Sequence, residues 1–305
     1  MIVSDTAEPL TVIQPPLVRI AREIDVLFEQ LLVVPDDHSS RLIEAMRYAA
    51  VGGGKRLRPL LVCASSALFG VPRDMSLRAG LAVECVHVHS LIHDDLPCMD
   101  DDDLRRGKAT VHRAFDEATA VLAGDSLLAM AFEILAHPTT HPSGEVRAQL
   151  ICDLSRAAGA YGMAGGQMLD LAPASDAGAD MDAVARLQRL KTGAIINWAV
   201  EAGATLGLAS NDERTSLRGY AQNLGLAFQI ADDILDAIGD EALVGKRVGK
   251  DVEQGKENFV TLLGVDRARR QAEMLAEQAI EHLRPFERES ELLAAIARFA
   301  VDRDH

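Results

Sequence analysis

The chain has 305 residues, 48% hydrophobic and 25% charged, and its 46 acidic against 31 basic side chains leave a formal charge of −15. That is enough apolar material for a sizeable core, and the acidic balance disfavours a nucleic-acid partner, so an anionic ligand needs a local basic pocket. Aromatic residues make up only 4%, while alanine and leucine are abundant, which suits helix packing better than a β-rich core. The four cysteines, Cys63, Cys85, Cys98 and Cys152, form no CxxC pair, which implies a reduced, cytoplasmic setting and no zinc ribbon.

The first 16 residues carry acids and prolines without the basic-then-apolar order of a signal peptide, and read as a flexible lead-in. Apolar residues then recur at helical spacing over 17–32, 41–51, 60–69, 76–93, 118–136, 145–161, 181–208, 212–238 and 268–301. Between them lie turn signals around Pro35, Gly70 and Pro72, through the His137 to Gly144 stretch, and from Asp170 to Asp182. No segment alternates like a strand, so the fold class is all-α. The longest uncharged run, from Pro59 to Pro72, is too short to span a bilayer. A charged, glycine-containing stretch over 239–258 breaks the pattern, and a loop that long is more often functional than idle.

Two aspartate-rich clusters stand out, His93-Asp94-Asp95-Leu96-Pro97-Cys98-Met99-Asp100 and Gln229-Ile230-Ala231-Asp232-Asp233-Ile234-Leu235-Asp236. On a helix, Asp232 and Asp236 fall within about 40° of each other, with Gln229 one turn earlier. Their neighbours Phe228, Ile230, Ile234 and Leu235 are too apolar for a solvated acidic face, and a buried carboxylate pair without a cation is costly. Asp94 and Asp100 would point about 120° apart on an unbroken helix, but Pro97 bends or ends it and can let Asp94, Asp95 and Asp100 converge. Asp101, Asp102 and Asp103 read equally well as a hydrated acidic run. Loosely held carboxylates of this kind suit Mg²⁺ bridged to substrate phosphates. Motifs that must meet in one cavity come from both halves of the chain, which favours one domain over residues 1–305.

Basic groups flank the acids: Arg105-Arg106-Gly107 follows the first cluster, and Gly52-Gly53-Gly54-Lys55-Arg56-Leu57-Arg58 lies upstream. The latter is not a nucleotide-binding P-loop, because Lys55 is followed by Arg56 and not by Ser or Thr. Acid and base together describe a diphosphate site. Over roughly residues 45 to 265, the order and spacing of these pieces resemble the trans-polyprenyl diphosphate synthases, bacterial-type farnesyl diphosphate synthases in particular.

That resemblance implies an all-α helical bundle around a central cavity. It implies Mg²⁺, three ions per site with substrate bound and replaceable by Mn²⁺, held by Asp94, Asp100 and Asp232 with Asp95 and Asp236 in support. It assigns Lys55, Arg58, His87 and Arg106 to isopentenyl diphosphate, and Arg105 to the allylic diphosphate. Lys191, Lys246 and Lys256 complete the diphosphate site, the last two on the 239–258 stretch as a closing lid. Thr192 and Gln229 stabilise the cation. The implied reaction joins isopentenyl diphosphate to dimethylallyl or geranyl diphosphate in a homodimeric enzyme, giving farnesyl diphosphate or, alternatively, geranylgeranyl diphosphate. His89, five residues before Asp94, lies about 7.5 Å deeper along the helix, where its bulk would stop the growing tail; Ser90 or Cys85 are the other candidates for that floor.

Three rivals fit less well. His89 and His93 form an i,i+4 pair suited to zinc, but a zinc hydrolase needs more ligands, and His112, His137 and His141 lie in unpromising places. A terpene cyclase would mix Asn, Ser and Glu in its second metal motif, and a non-catalytic synthase subunit would typically have a degraded first one.

Overall fold

The computed structural model describes residues 8–172, 180–238 and 257–302. They form helices α1 (Glu8–Leu31), α2 (Ser40–Ala50), α3 (Leu57–Ala67), α4 (Arg73–Asp94), α5 (Val111–Ala114), α6 (Glu117–Ala136), α7 (Gly144–Ala158), α8 (Met163–Asp170) and α9 (Met181–Gln188). A π-helical turn, Arg189–Gly193, leads into α10 (Ala194–Leu206), followed by α11 (Asn211–Ile238), α12 (Phe259–Leu263), α13 (Val265–Glu281) and α14 (Glu291–Val301). The expected all-α class is what is found.

Several expected boundaries shift. Residues 8–16, expected as a flexible lead-in, are the first turns of α1 despite Pro15 and Pro16, and Ile13 there is fully buried in the main core. The helix expected over 181–208 is interrupted by the π turn, and that over 268–301 by a 3₁₀ segment, Arg284–Ser290, that contains Pro285. α8 was not anticipated: it has only eight residues, two of them glycines, too few for a periodic signal. A two-residue hairpin, Leu104–Arg105 paired with Lys108–Ala109, turns through Arg106 and Gly107, both at positive φ as tight hairpin turns require.

The main core draws on α1 to α4, α6, α7, α10, the first half of α11 and α14. A smaller cluster joins Val184 and Ala185 of α9, Ala227, Ile230 and Ile234 of α11, Phe259 of α12, and α13. α11 serves both, and Tyr220 in its middle donates to the Leu293 carbonyl at 2.8 Å, tying it to α14. α4 and α6 lie side by side. α6 is the one described helix long and apolar enough to cross a membrane; it packs one side on α4 and leaves Val121 and Leu122 exposed.

A buried arginine fixes the turn before α3. Arg56, at φ 50°, is 2% exposed, and its guanidinium donates to Glu84 and Asp25, each at 2.7 Å, and to the Ala50 carbonyl. Such a forked, paired arginine is costly to unpair, so it holds Lys55 and Arg58 on either side of a rigid point.

α3 and α10 cross at close range. A Cβ on Gly203 would lie 2.2 Å from Ser65 Oγ and 2.4 Å from the Ser66 amide nitrogen. Gly203→Ala is expected to destabilise the protein by about 1–3 kcal/mol through overpacking; chemical denaturation should show a lower midpoint, and an unchanged midpoint would contradict this packing.

Candidate active site

A cavity of about 670 Å³ opens where α3, α4, α8, α9, the π turn and α11 meet. Asp94, Asp100, Asp232 and Asp236 line it, together with Arg58, His87, Arg105, Lys191, Thr192, Gln229 and His89. The structure thus gathers eleven sequence-selected residues from four separate stretches of chain. Lys246 and Lys256 lie outside the described residues.

The first acidic cluster converges through its backbone. α4 ends at Asp94, and the chain folds back so that the Asp100 amide donates to the Asp94 carbonyl at 2.9 Å. Pro97 sits in that return, as expected from its inability to continue the helix. Asp95, expected in support of the metal ligands, is placed behind Arg105. It does not line the cavity, is 3% exposed, and accepts from Arg105 Nε at 2.7 and 2.9 Å. As the C-cap residue it is carried away from Asp94 by the turn, so its carboxylate orients an arginine that itself reaches the cavity. Asp102 adds a 3.6 Å contact to the same guanidinium, whereas exposed Asp103 pairs with Arg113 at 2.5 Å on the surface.

The second cluster lies on uninterrupted α11. Asp232 and Asp236 face the cavity one turn apart, as helical spacing requires. Gln229 is fixed at both ends: Oε1 accepts from Thr192 Oγ1 at 3.1 Å, and Nε2 donates to Asp233 Oδ1 at 3.0 Å. Asp233 Oδ2 in turn accepts from the Phe259 amide at 3.0 Å, where Asn258 caps α12.

Charge is crowded here. Burial pushes the Asp94 carboxyl up to about 6; Lys191 and Arg105 pull it down, while Asp100 and Asp95 push it further up. Carboxylates crowded in this way are hard oxygen donors short of positive charge, and they fit a divalent cation such as Mg²⁺. Arg58 also lines the cavity, part-buried, its buried Nε without a hydrogen-bond partner among the described residues. Burial, and then the charges of Arg58, Arg106, Arg105 and Arg56, hold the His87 imidazole well below its usual range. His87 is therefore a neutral donor among cations, a setting made for an anion. Arg106 lies against the Gly53-Gly54 turn, and Lys55 rests 5.8 Å over the Phe299 ring; neither lines the cavity.

α8 supplies residues that sequence reasoning missed. Asp170 accepts from Lys191 Nζ at 2.8 Å, and this partner raises the lysine's pKa although burial opposes it. Gln167, 9% exposed, lines the cavity with no partner for its amide among the described residues. The available signal was the i,i+3 spacing of Gln167 and Asp170, masked by the surrounding glycines. Asp233 was passed over because it sits between two better-placed acids.

Asp233→Ala is expected to cost about 1–3 kcal/mol, because it strands the buried Phe259 amide and frees the part-buried Gln229 side chain. The denaturation midpoint measures this, and a change within experimental error would show that the Gln229–Asp233–Phe259 chain is not stabilising.

Comparison with known proteins agrees with this geometry. The polyprenyl synthetase family model matches residues 39–298. The chain is 45% identical to a farnesyl diphosphate synthase of Escherichia coli over 86% of its length and 89% of the relative's. It is 39% identical to a geranylgeranyl diphosphate synthase of Cyanophora paradoxa, covering 89% and 91%. The crystal structure of an FPP/GFPP synthase from Zymomonas mobilis superposes with a TM-score of 0.87 at 50% identity, covering 96% of this chain and 99% of that one. With two carboxylate clusters and a cationic wall facing one cavity inside this fold, the chain belongs to the polyprenyl synthetase family of prenyltransferases.

Proposed function

We propose that this protein, acting as one all-α domain, condenses isopentenyl diphosphate with dimethylallyl or geranyl diphosphate, forming all-trans farnesyl diphosphate and releasing pyrophosphate. The observation that carries this reading is the single cavity in which Asp94, Asp100 and Asp232 face Arg58, His87, Arg105 and Lys191. Asp94, Asp100 and Asp232, with Asp236 in support, would hold Mg²⁺. When bound, the metal polarises the allylic diphosphate as a Lewis acid, and Mn²⁺ can replace it.

Arg105, kept in place by Asp95, and Lys191, kept charged by Asp170, neutralise the pyrophosphate as the C1–O bond breaks. Arg58 and His87 in the cavity, with Arg106 and Lys55 turned in from beside it, hold isopentenyl diphosphate so that its double bond attacks C1 of the allylic cation; orientation contributes as much as charge. The Gln229 amide oxygen and Thr192 hydroxyl are fixed against each other at the cavity wall, where they can face that cation. The leaving pyrophosphate takes the proton lost when the new double bond forms. Lys246, Lys256 and the lid belong to the same reading. A homodimer is supported by the exposed apolar side of α6, and a cytoplasmic setting by the unpaired cysteines.

Turnover is expected to stop on chelation and return with Mg²⁺ or Mn²⁺, and Asp94→Ala or Asp232→Ala should lower kcat by orders of magnitude with the fold intact. Full activity after chelation would end this reading.

The named relatives make more than one chain length, so the farnesyl assignment rests on His89. Its ring lines the cavity while Nδ1 meets the Gly124 carbonyl at 3.0 Å; Ser90 also lines the cavity, and Cys85 is fully buried away from it. His89→Ala should shift products toward geranylgeranyl diphosphate, and His89→Tyr should keep farnesyl diphosphate. Chromatography of the dephosphorylated products reads this out, and an unchanged profile for His89→Ala removes the residue from chain-length control.

A further inference from the structure

The two histidines that sequence reasoning set aside for want of further ligands acquire a third partner in the fold. Asp125 on α6 comes up against His89 and His93 on α4, and one donor atom from each lies within 4.8 Å of the others. Among the described residues this is the one group of His, Cys, Asp or Glu side chains so closely gathered. It is chemically unlike the aspartate clusters, offering two imidazoles and one carboxylate where those offer oxygen alone.

The His89 imidazole is held as metal-binding imidazoles usually are. A ligating histidine typically turns its other ring N–H to a carbonyl or carboxylate, which fixes tautomer and orientation. His89 Nδ1 meets the Gly124 carbonyl at 3.0 Å; because a carbonyl only accepts, the proton sits on Nδ1 and leaves Nε2 with its lone pair. Burial, then the neighbouring His93, pushes His89 down to about 4 although Gly124 and Asp125 pull it up, so the ring is neutral near pH 7. His93 Nε2 lies 3.1 Å from the Val121 carbonyl, to which it donates, and 3.9 Å from Asp125 Oδ1, so it must release that carbonyl and its proton to ligate a metal. Its ring occupies the space that a Cβ on Gly124 would fill.

We propose that His89, His93 and Asp125 form a second metal site, selective for a borderline divalent transition ion such as Zn²⁺ over Mg²⁺. Nitrogen donors favour such ions, whereas Mg²⁺ prefers oxygen. Bonds of about 2.0 Å in a tetrahedral site place ligand atoms about 3.3 Å apart. The present separations must therefore close a little. Asp125, whose side chain is 61% exposed, is free to swing in, and water can fill the fourth position. A bound ion would join α4 to α6 and pin the His89 ring at the cavity wall. The site needs no substrate, so it stands or falls apart from the prenyl-transfer reading.

The test is a Zn²⁺ titration of the full-length, chelator-stripped protein against a chromophoric indicator, with Mg²⁺ in large excess. One Zn²⁺ per chain is expected to resist Mg²⁺, and zinc-edge X-ray absorption should show two imidazole nitrogens with oxygen. His89→Phe, which keeps a ring of similar size, and Asp125→Asn should each weaken binding roughly 10–100-fold, while Asp232→Ala should leave it unchanged. Circular dichroism checks that each variant is folded. The site is refuted by absence of Zn²⁺ binding under excess Mg²⁺, by equal affinity in wild type and both site variants, by loss of binding in Asp232→Ala, or by sulfur or oxygen-only coordination.

Discussion

The structure is organised around charge that has been taken out of water. Arg58, His87 and Asp94, each only partly exposed, and Asp236, 9% exposed, line one cavity. Burying such groups is expensive unless they are paired, and a pair within the protein would leave nothing for a ligand to do. The fold settles this by pairing the supporting charges among themselves. Asp95 is matched to Arg105, Asp170 to Lys191, and Glu84 to Arg56. Asp94, Asp100, Asp232 and Asp236 line the same cavity as Arg58, His87 and Lys191, so acid and base are presented together at its surface.

The helices exist to hold those walls. α4 carries His87 and Asp94 on one rod, α11 carries Gln229, Asp232 and Asp236 on another, and the main core packs between and behind them. Because α11 also anchors the smaller cluster with α9, α12 and α13, its acidic face is braced from both sides. The Thr192–Gln229–Asp233–Phe259 hydrogen-bond chain ties three of these pieces together just beside the cavity. Positioning and stability thus share the same residues.

Much of this was legible in the residues themselves. Helical periodicity located the long helices, and the spacing of Asp232 and Asp236 fixed their common face, because a regular helix converts spacing into direction. Where the backbone leaves regularity, spacing lost its meaning. Asp95 adjoins Asp94, yet the turn after α4 sends it to Arg105, and no local rule states which of two neighbouring acids keeps the cavity. α8 was hidden by its shortness and its glycines, and with it Asp170 and Gln167. Asp125 was invisible as a partner of His89 because the contact depends on how α4 lies on α6, a tertiary fact with no trace in either segment alone.

The π turn at Arg189–Gly193 has a consequence for how such a chain can change. A π turn carries about one residue more than an α turn, and so advances the following helix by about 100° in phase. The inward faces of α9 and α10 are thereby uncoupled: Val184 and Ala185 address the small cluster, Trp198 and Ala199 address the main core, and Lys191 and Thr192 between them address neither. The extra residue lets one continuous run of chain aim Val184 and Trp198 at two different cores with Lys191 and Thr192 at the cavity between them, so deleting it would turn α10 by about 100° relative to α9.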